Sequence, residues 1–405
     1  MVTLMPVKFF VDKVTDDLYI LRVDDAEVAY FEALWEIAEG VTYNAYLLVG
    51  DDGCILFDSW KARYADQLAE TIRRVIDPRD ITHIVIHHME QDHSGALPEI
   101  LRIADFRPEV LAHPMACQML GSFYRVNAKV RPVHDEEELN VVGRRLRFIY
   151  APWLHWPETI TTYYADHGVL LSGDVFGGFS SPDKIFDDDE EVVEKYLPHV
   201  RKYFASVIGT YRQHVNKAVQ KMAGLDIRVI APAHGLVWRK DPRRVVNYYD
   251  ALANGSQERG KVTIICASMY GECLHAARIV MNELKKRGAN VKIYEFTDTS
   301  RPSISDLLGD VFNSEAIVVA APTYESDVFP IARWIIEIVQ KKIPSSKSVL
   351  VISSYGWGEQ AGKKLAEMLR AAGHDIKDLL LFRGRPDSET EEKLREAANK
   401  LLSDG

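Results

Sequence analysis

The chain has 405 residues, which at about 150 residues per domain predicts two or three domains and excludes a single small module. Hydrophobic residues make up 47% and charged residues 27%, a globular balance that excludes wholesale disorder and collagen-like repeats. Lys and Arg total 49 against 59 Asp and Glu, a net charge of −10, and no Lys/Arg block is long enough to track a phosphate backbone, so nucleic acid is not an expected partner.

The N-terminus MVTLMPVKFF carries no charged-then-apolar signal pattern. Its longest apolar runs fall far short of the roughly 18 residues that cross a bilayer. No membrane segment and a cytoplasmic location are therefore expected. Four cysteines, Cys54, Cys117, Cys266 and Cys273, lack any paired ligand spacing and read as free thiols.

In chain order, hydrophobic patterning predicts strands at Asp17 to Val23, Asn44 to Val49, Cys54 to Phe57, Ile84 to His87, Leu146 to Tyr150, Val169 to Ser172 and Arg228 to Ile230. Amphipathic helices such as Tyr64 to Ile76 lie between them, a pattern of sheets covered by helices. The acidic run near Asp187 reads as a solvated helix start, where carboxylates suit the helix dipole. Leu252 to Lys261, LANGSQERGK, is a polar, Gly-containing stretch that places a boundary near residues 254 to 260. The expected domains are 1–255 and 256–405. Beyond the boundary, strands at 262–266, 291–296, 316–321, 348–353 and 378–382 alternate with helices at 272–287, 303–309, 328–341, 359–372 and 388–402. Five βα units describe a doubly wound parallel sheet. Eleven of the 13 histidines precede residue 250, so the two parts are expected to do different chemistry.

In the first part, the strand ending at Ile86 runs into His87-His88-Met89-Glu90-Gln91-Asp92-His93 and then a helical pattern. Strand-to-helix turns are where sheet folds place functional groups. Extended geometry puts His88 and Glu90 on one side, able to grip one ion, and the following turn aims Asp92 and His93 at a neighbouring one. The same alternation turns His87 away, and His87 and His83 read as structural. Mixed imidazole and carboxylate donors suit Fe, Mn or Zn. Three further strand ends offer partners: His155 in WLHWPE, Asp174 in SGD and His234 in APAHG.

The set HxExDH, LHWP, SGD and AHG resembles the metallo-β-lactamase fold as used by flavodiiron proteins, over roughly the first 250 residues. The resemblance implies an α/β class with α+β character: an N-terminal αββα sandwich holding two irons. It assigns one iron to His88, Glu90 and His155, a second to Asp92, His93 and His234, and Asp174 to both. Hydrolases of the fold typically have HxHxDH, a di-zinc arrangement; Glu90 is a harder, anionic donor suited to iron. Tyr196 matches a position beside the substrate pocket in some relatives, where it would donate a hydrogen bond.

The second part opens with a strand, the turn SMYGEC and a helix. Free N–H groups at such a helix start can hold a phosphate. PTYE and SYGWG follow the third and fourth strands, which line the same crevice in flavodoxin order. This half resembles a flavodoxin-like five-stranded parallel sheet that binds FMN. The match places Ser268, Met269, Tyr270, Gly271, Glu272 and Cys273 around the phosphate. Pro322, Thr323, Tyr324 and Glu325, then Ser354, Tyr355, Gly356 and Trp357, would frame the isoalloxazine. Two departures stand out: the family's phosphate loop usually reads GNT, where this chain has Gly271-Glu272-Cys273, and Glu325-Ser326-Asp327 replaces a common Asn-Asn-Gly.

By resemblance, the enzyme is an oxidoreductase reducing O2 to water, NO to N2O, or both, through FMN and a non-haem di-iron site. A head-to-tail homodimer, or a tetramer built on it, is implied. With no four-cysteine module in the sequence, electrons are expected from a separate donor, rubredoxin or reduced deazaflavin. The alternatives are a di-zinc hydrolase fused to a flavodoxin-like domain and a non-catalytic redox flavoprotein.

Overall fold

The computed structural model describes residues 7–343 and 346–402; the outermost residues of the two expected domains, 1–6 and 403–405, lie outside that range. The chain forms two compact units, one of Met1–Tyr203 and Tyr211–Ala253, the other of Phe204–Thr210 and Asn254–Gly405. Among the described residues, no helix is long and apolar enough to cross a membrane.

The first unit contains a seven-stranded mixed sheet in the order Lys8–Lys13, Leu18–Asp25, Val41–Val49, Cys54–Phe57, Ile81–Ile86, Glu109–Ala112, Lys129–Pro132. Its first four strands pair antiparallel and the rest parallel. A five-stranded sheet follows, Glu138–Val141, Arg144–Tyr150, Ile160–Tyr164, Val169–Gly173 and Val229–Pro232, antiparallel except for its last pair. Alternation turns Leu18, Ile20, Ile55, Phe57 and Val85 of the larger sheet towards Phe148, Ile160, Tyr164 and Leu171 of the smaller one, and these side chains form one buried core. Ile84 and Ile86 point the other way and are equally buried. Helices Ala65–Arg73 and Leu97–Ile103 pack together beside that sheet, the first burying Leu68, Ala69 and Ile72 along one stripe. This is the expected αββα sandwich.

The second unit is a five-stranded parallel sheet in the order Asn290–Phe296, Glu258–Ala267, Ser314–Ala320, Ser348–Tyr355, Asp375–Arg383. Sequence order 2-1-3-4-5 is the flavodoxin-like arrangement. Val262, Ile264, Val318 and Leu350 face helices Glu272–Lys286 and Ser388–Leu401, and helices Ile304–Asn313, Pro330–Lys342 and Gln360–Ala371 complete the winding. Parallel strands buried on both faces explain the continuous apolar runs in the sequence. The first strand starts at Glu258, inside the stretch read as a linker, because Glu258 pairs with Ser314 across a register shift. Phe204–Ile208, a π-helical turn, clusters with this unit through the Phe204 ring, 5.4 Å from that of Phe312.

Candidate metal centre and flavin pocket

Sheet topology explains how residues 88 to 234 meet. Strands Ile81–Ile86 and Val169–Gly173 belong to opposite sheets of the sandwich, so loops at their ends can project into one pocket. His88 follows the first strand, and Glu90 sits at the start of the short helix Gln91–Ser94 that carries Asp92 and His93. Asp174 directly follows Gly173, His155 lies in the loop after Arg144–Tyr150, and His234 follows Val229–Pro232.

The donor atoms fall into two groups, His88, Glu90, His155 and Asp174, and Asp92, His93 and His234. Asp174 joins them. Its Oδ2 lies 3.5 Å from His88 Nε2 and 3.1 Å from His155 Nε2. Its Oδ1 lies 3.0 Å from His93 Nε2 and 3.4 Å from His234 Nε2. Glu90 Oε2 approaches His155 Nε2 at 2.7 Å and His88 Nε2 at 3.5 Å, and Asp92 Oδ2 is 3.5 Å from both His93 and His234. All seven side chains are buried or nearly so. Yet both carboxylate oxygens of Asp92 and of Asp174, both ring nitrogens of His88 and His93, and Nε2 of His234 make no hydrogen bond among the described residues. Buried polar atoms are normally paired; atoms that converge on a common point without aligned donors are arranged for a cation.

The electrostatics agree. Burial opposes charge on His93, but Asp92 and Asp174 outweigh it and lift its pKa to about 10. Burial likewise opposes the charge on His155, which Asp174 and Glu90 nonetheless hold well above the usual imidazole range. Burial would raise Asp174 and Glu90; His88 and His93 around the first, and His155 and His88 around the second, hold both carboxyls below their ordinary values. Positive charge is what this cluster stabilises.

Supporting contacts reach across the sandwich, and sequence reasoning missed them. The Thr42 carbonyl accepts His234 Nδ1–H at 2.6 Å, which fixes the tautomer and leaves Nε2 facing the carboxylates. Asn44 donates to the carbonyls of Pro232 and Gly235, and the Thr42 hydroxyl accepts Gly235 N–H. Asp58 accepts both the backbone N–H and the Nδ1–H of His87, whose Nε2 meets Thr162, so His87 is turned away from the cluster as expected. Glu158, fully buried, accepts Met89 N–H between the two predicted ligands of the first group. Apart from His87 and Glu158, which lie in runs quoted above, none of these carries a local motif; their roles come from pairing distant in sequence.

Tyr196 is buried, but its hydroxyl fills the space beside Gly178 and Gly235. Besides His93, the aromatic rings that approach His234 include those of Phe31, Tyr43 and Tyr203, at 5.6, 5.7 and 5.7 Å. Burial raises both phenols well above their ordinary value, and Asp174 adds to the effect on Tyr203 and Asp92 to that on Tyr43, so each hydroxyl keeps its proton. Neither hydroxyl has a hydrogen-bond partner among the described residues. Lys61 lies over the Tyr43 ring, 4.7 Å from its centroid.

In the second unit, a cavity of about 440 Å³ is lined by every residue predicted to surround a flavin except Gly271, together with Gly384. Tyr270 and Trp357 are 88% and 84% exposed there, open faces of the kind that stack on a ring system. Gly384 went unrecognised because it follows the fifth strand, outside the three loops; it holds that edge by donating to Tyr355 O and accepting from Ser354 Oγ.

Comparison with known proteins agrees with the geometry. Residues 41–235 match the family described as ODP family beta lactamase. The chain is 30% identical over 363 residues to the nitric oxide reductase of Moorella thermoacetica, covering 89% of each protein. A variant of the flavo di-iron protein from Thermotoga maritima superimposes with a TM-score of 0.93 at 37% identity, over 98% of this chain and 99% of that one. The rubredoxin oxygen:oxidoreductase of Desulfovibrio gigas gives 0.91 at 26% identity, over 97% and 98%.

Proposed function

The chain belongs to the flavodiiron protein family, and from that premise we propose that it holds two irons within residues 1–255 and FMN within 256–405, reducing O2 to water, NO to N2O, or both. The observation that carries the metal assignment is Asp174, buried with one oxygen towards each donor group and neither oxygen hydrogen-bonded. His88, Glu90 and His155 would hold one ion, Asp92, His93 and His234 the other, and Asp174 both. Glu90, where an imidazole would suit zinc, supports iron. The unpartnered aromatic faces of the second pocket support a flavin.

When bound, the two ferrous ions and the reduced flavin together supply four electrons and a Lewis-acidic site, enough to take O2 to two waters or to couple two NO into N2O and water. The remaining work belongs to the chain. Burial excludes bulk water from the site. Phe31, Tyr43 and Tyr203 wall the His234 side, and the two tyrosine hydroxyls, neutral and without a hydrogen-bond partner among the described residues, would be available to donate to a small oxygen-bearing ligand. Thr42 and Asp58 keep the donor loops in register.

Rubredoxin or a reduced deazaflavin is the proposed electron donor, and a head-to-tail homodimer the proposed assembly, both supported by the family resemblance; sedimentation of the flavin-loaded protein tests the latter. The function is tested by metal and flavin analysis of anaerobically prepared protein, followed by O2 and NO consumption with a chemically reduced donor. Two irons and one flavin per chain with gas turnover are expected. Zinc in place of iron, with no gas consumed, would overturn the reading.

A further inference from the structure

The pocket read above as the flavin site is acidic where a phosphate would lie. Its charged lining groups, among the described residues, are both carboxylates, Glu272 in the loop read as the phosphate end and Glu325 in a loop read as framing the ring system. Glu272 is the first residue of helix Glu272–Lys286, whose N-cap Gly271 sits at φ 101 without a side-chain cap. Of the two loop serines, Ser354 Oγ donates to Gly384 O at 2.9 Å, while Ser268 Oγ accepts Gly271 N–H at 3.0 Å and keeps its own O–H to donate; the Cys273 thiol is buried against the Ser354 backbone. What remains for a phosphate is the Ser268 hydroxyl, backbone N–H groups and a helix dipole worth roughly half a positive charge. Glu272, which opens that helix and lines the same pocket, brings a carboxylate to this end. The aromatic end of the pocket carries no such penalty, since stacking on Tyr324 or Trp357 does not depend on what ends the ribityl chain.

We propose that this pocket selects its flavin by the ring and the ribityl chain, with Glu272 cancelling the preference for a terminal phosphate, so that riboflavin binds within about tenfold of FMN. The proposal rests on the flavin reading of the pocket. Its test is titration of the full chain, freed of flavin, with FMN and with riboflavin, following flavin fluorescence in the wild type and in Glu272→Gln and Glu272→Asn. The wild type is expected to bind the two flavins within tenfold of each other. Either substitution is expected to tighten FMN about tenfold or more and to leave riboflavin unchanged. An FMN preference above tenfold in the wild type, or a ratio that neither variant moves, overturns the proposal while leaving the flavin site intact. Binding of neither flavin overturns both. The wild-type ratio decides even if a variant fails to fold.

Discussion

At Gly235 the backbone has φ +81, and a Cβ there would coincide with the Tyr196 hydroxyl. Gly235→Ala therefore combines left-handed strain with overpacking, and is expected to cost about 2–5 kcal/mol in urea unfolding. Because Gly235 adjoins His234, the same change should loosen the second donor group. Asp174→Asn tests the bridge: it keeps the volume but removes the charge shared by both groups, and metal analysis should find the ion content falling from two per chain to one or none, with circular dichroism unchanged. At this scale the sequence was legible wherever a residue sits in a strand-end motif. The structure gathers His88, Glu90, Asp92, His93, His155, Asp174 and His234 in the grouping expected for them. Thr42, Asn44, Asp58 and Tyr203 were not legible, because a threonine or tyrosine on a strand or helix acquires its role from a loop as much as 193 residues away. Tyr196 was singled out by the family resemblance; it lies in the same helix as Tyr203, two turns before it, and it is the Tyr203 ring that reaches His234.

Elements with strong patterning emerged nearly as read: Cys54–Phe57 matches its expected bounds, and the five strands of the second unit differ by a few residues at their ends. Lys129–Pro132 and Glu138–Val141 did not stand out, being edge strands with charged, largely exposed faces. One junction of elements predicts a pH effect. Lys347, just before strand Ser348–Tyr355, donates to the carbonyls of Phe312 and Ser314, tying that strand to the start of its neighbour. Burial, reinforced by Lys261, pulls its pKa down to about 7 from 10.5. Between those values the unfolded chain binds the extra proton, so stability should rise with pH across that window and the full cost of the buried charge is felt below pH 7. Urea unfolding of the second unit at pH 7 and pH 9 should show the rise, and Lys347→Met should flatten it.

For the whole molecule, the division into two units means that each ligand stabilises the unit that holds it. A metal bound to the folded state alone at a hundredfold its Kd contributes about 2.7 kcal/mol. Chelation is therefore expected to lower the unfolding temperature reported by tryptophans such as Trp60 and Trp238, buried in the first unit, and flavin removal to leave that transition unmoved; calorimetry with each ligand in turn checks it. The fold class was legible because both halves obey strong rules of layering, one by two sheets sharing a core and the other by βα alternation.

Chain order carries a further consequence for biosynthesis. His88, Glu90, His155 and Asp174 have all been made once residue 174 leaves the ribosome, whereas the second group waits for His234, whose ring and loop are anchored on Thr42 and Asn44. Until then a nascent chain carries every residue of the first donor group but only Asp92, His93 and Asp174 of the second, throughout the translation of the intervening helices. Filling of the two donor groups during synthesis would then be sequential, and the last β-strand of the sandwich would be the step that closes the centre.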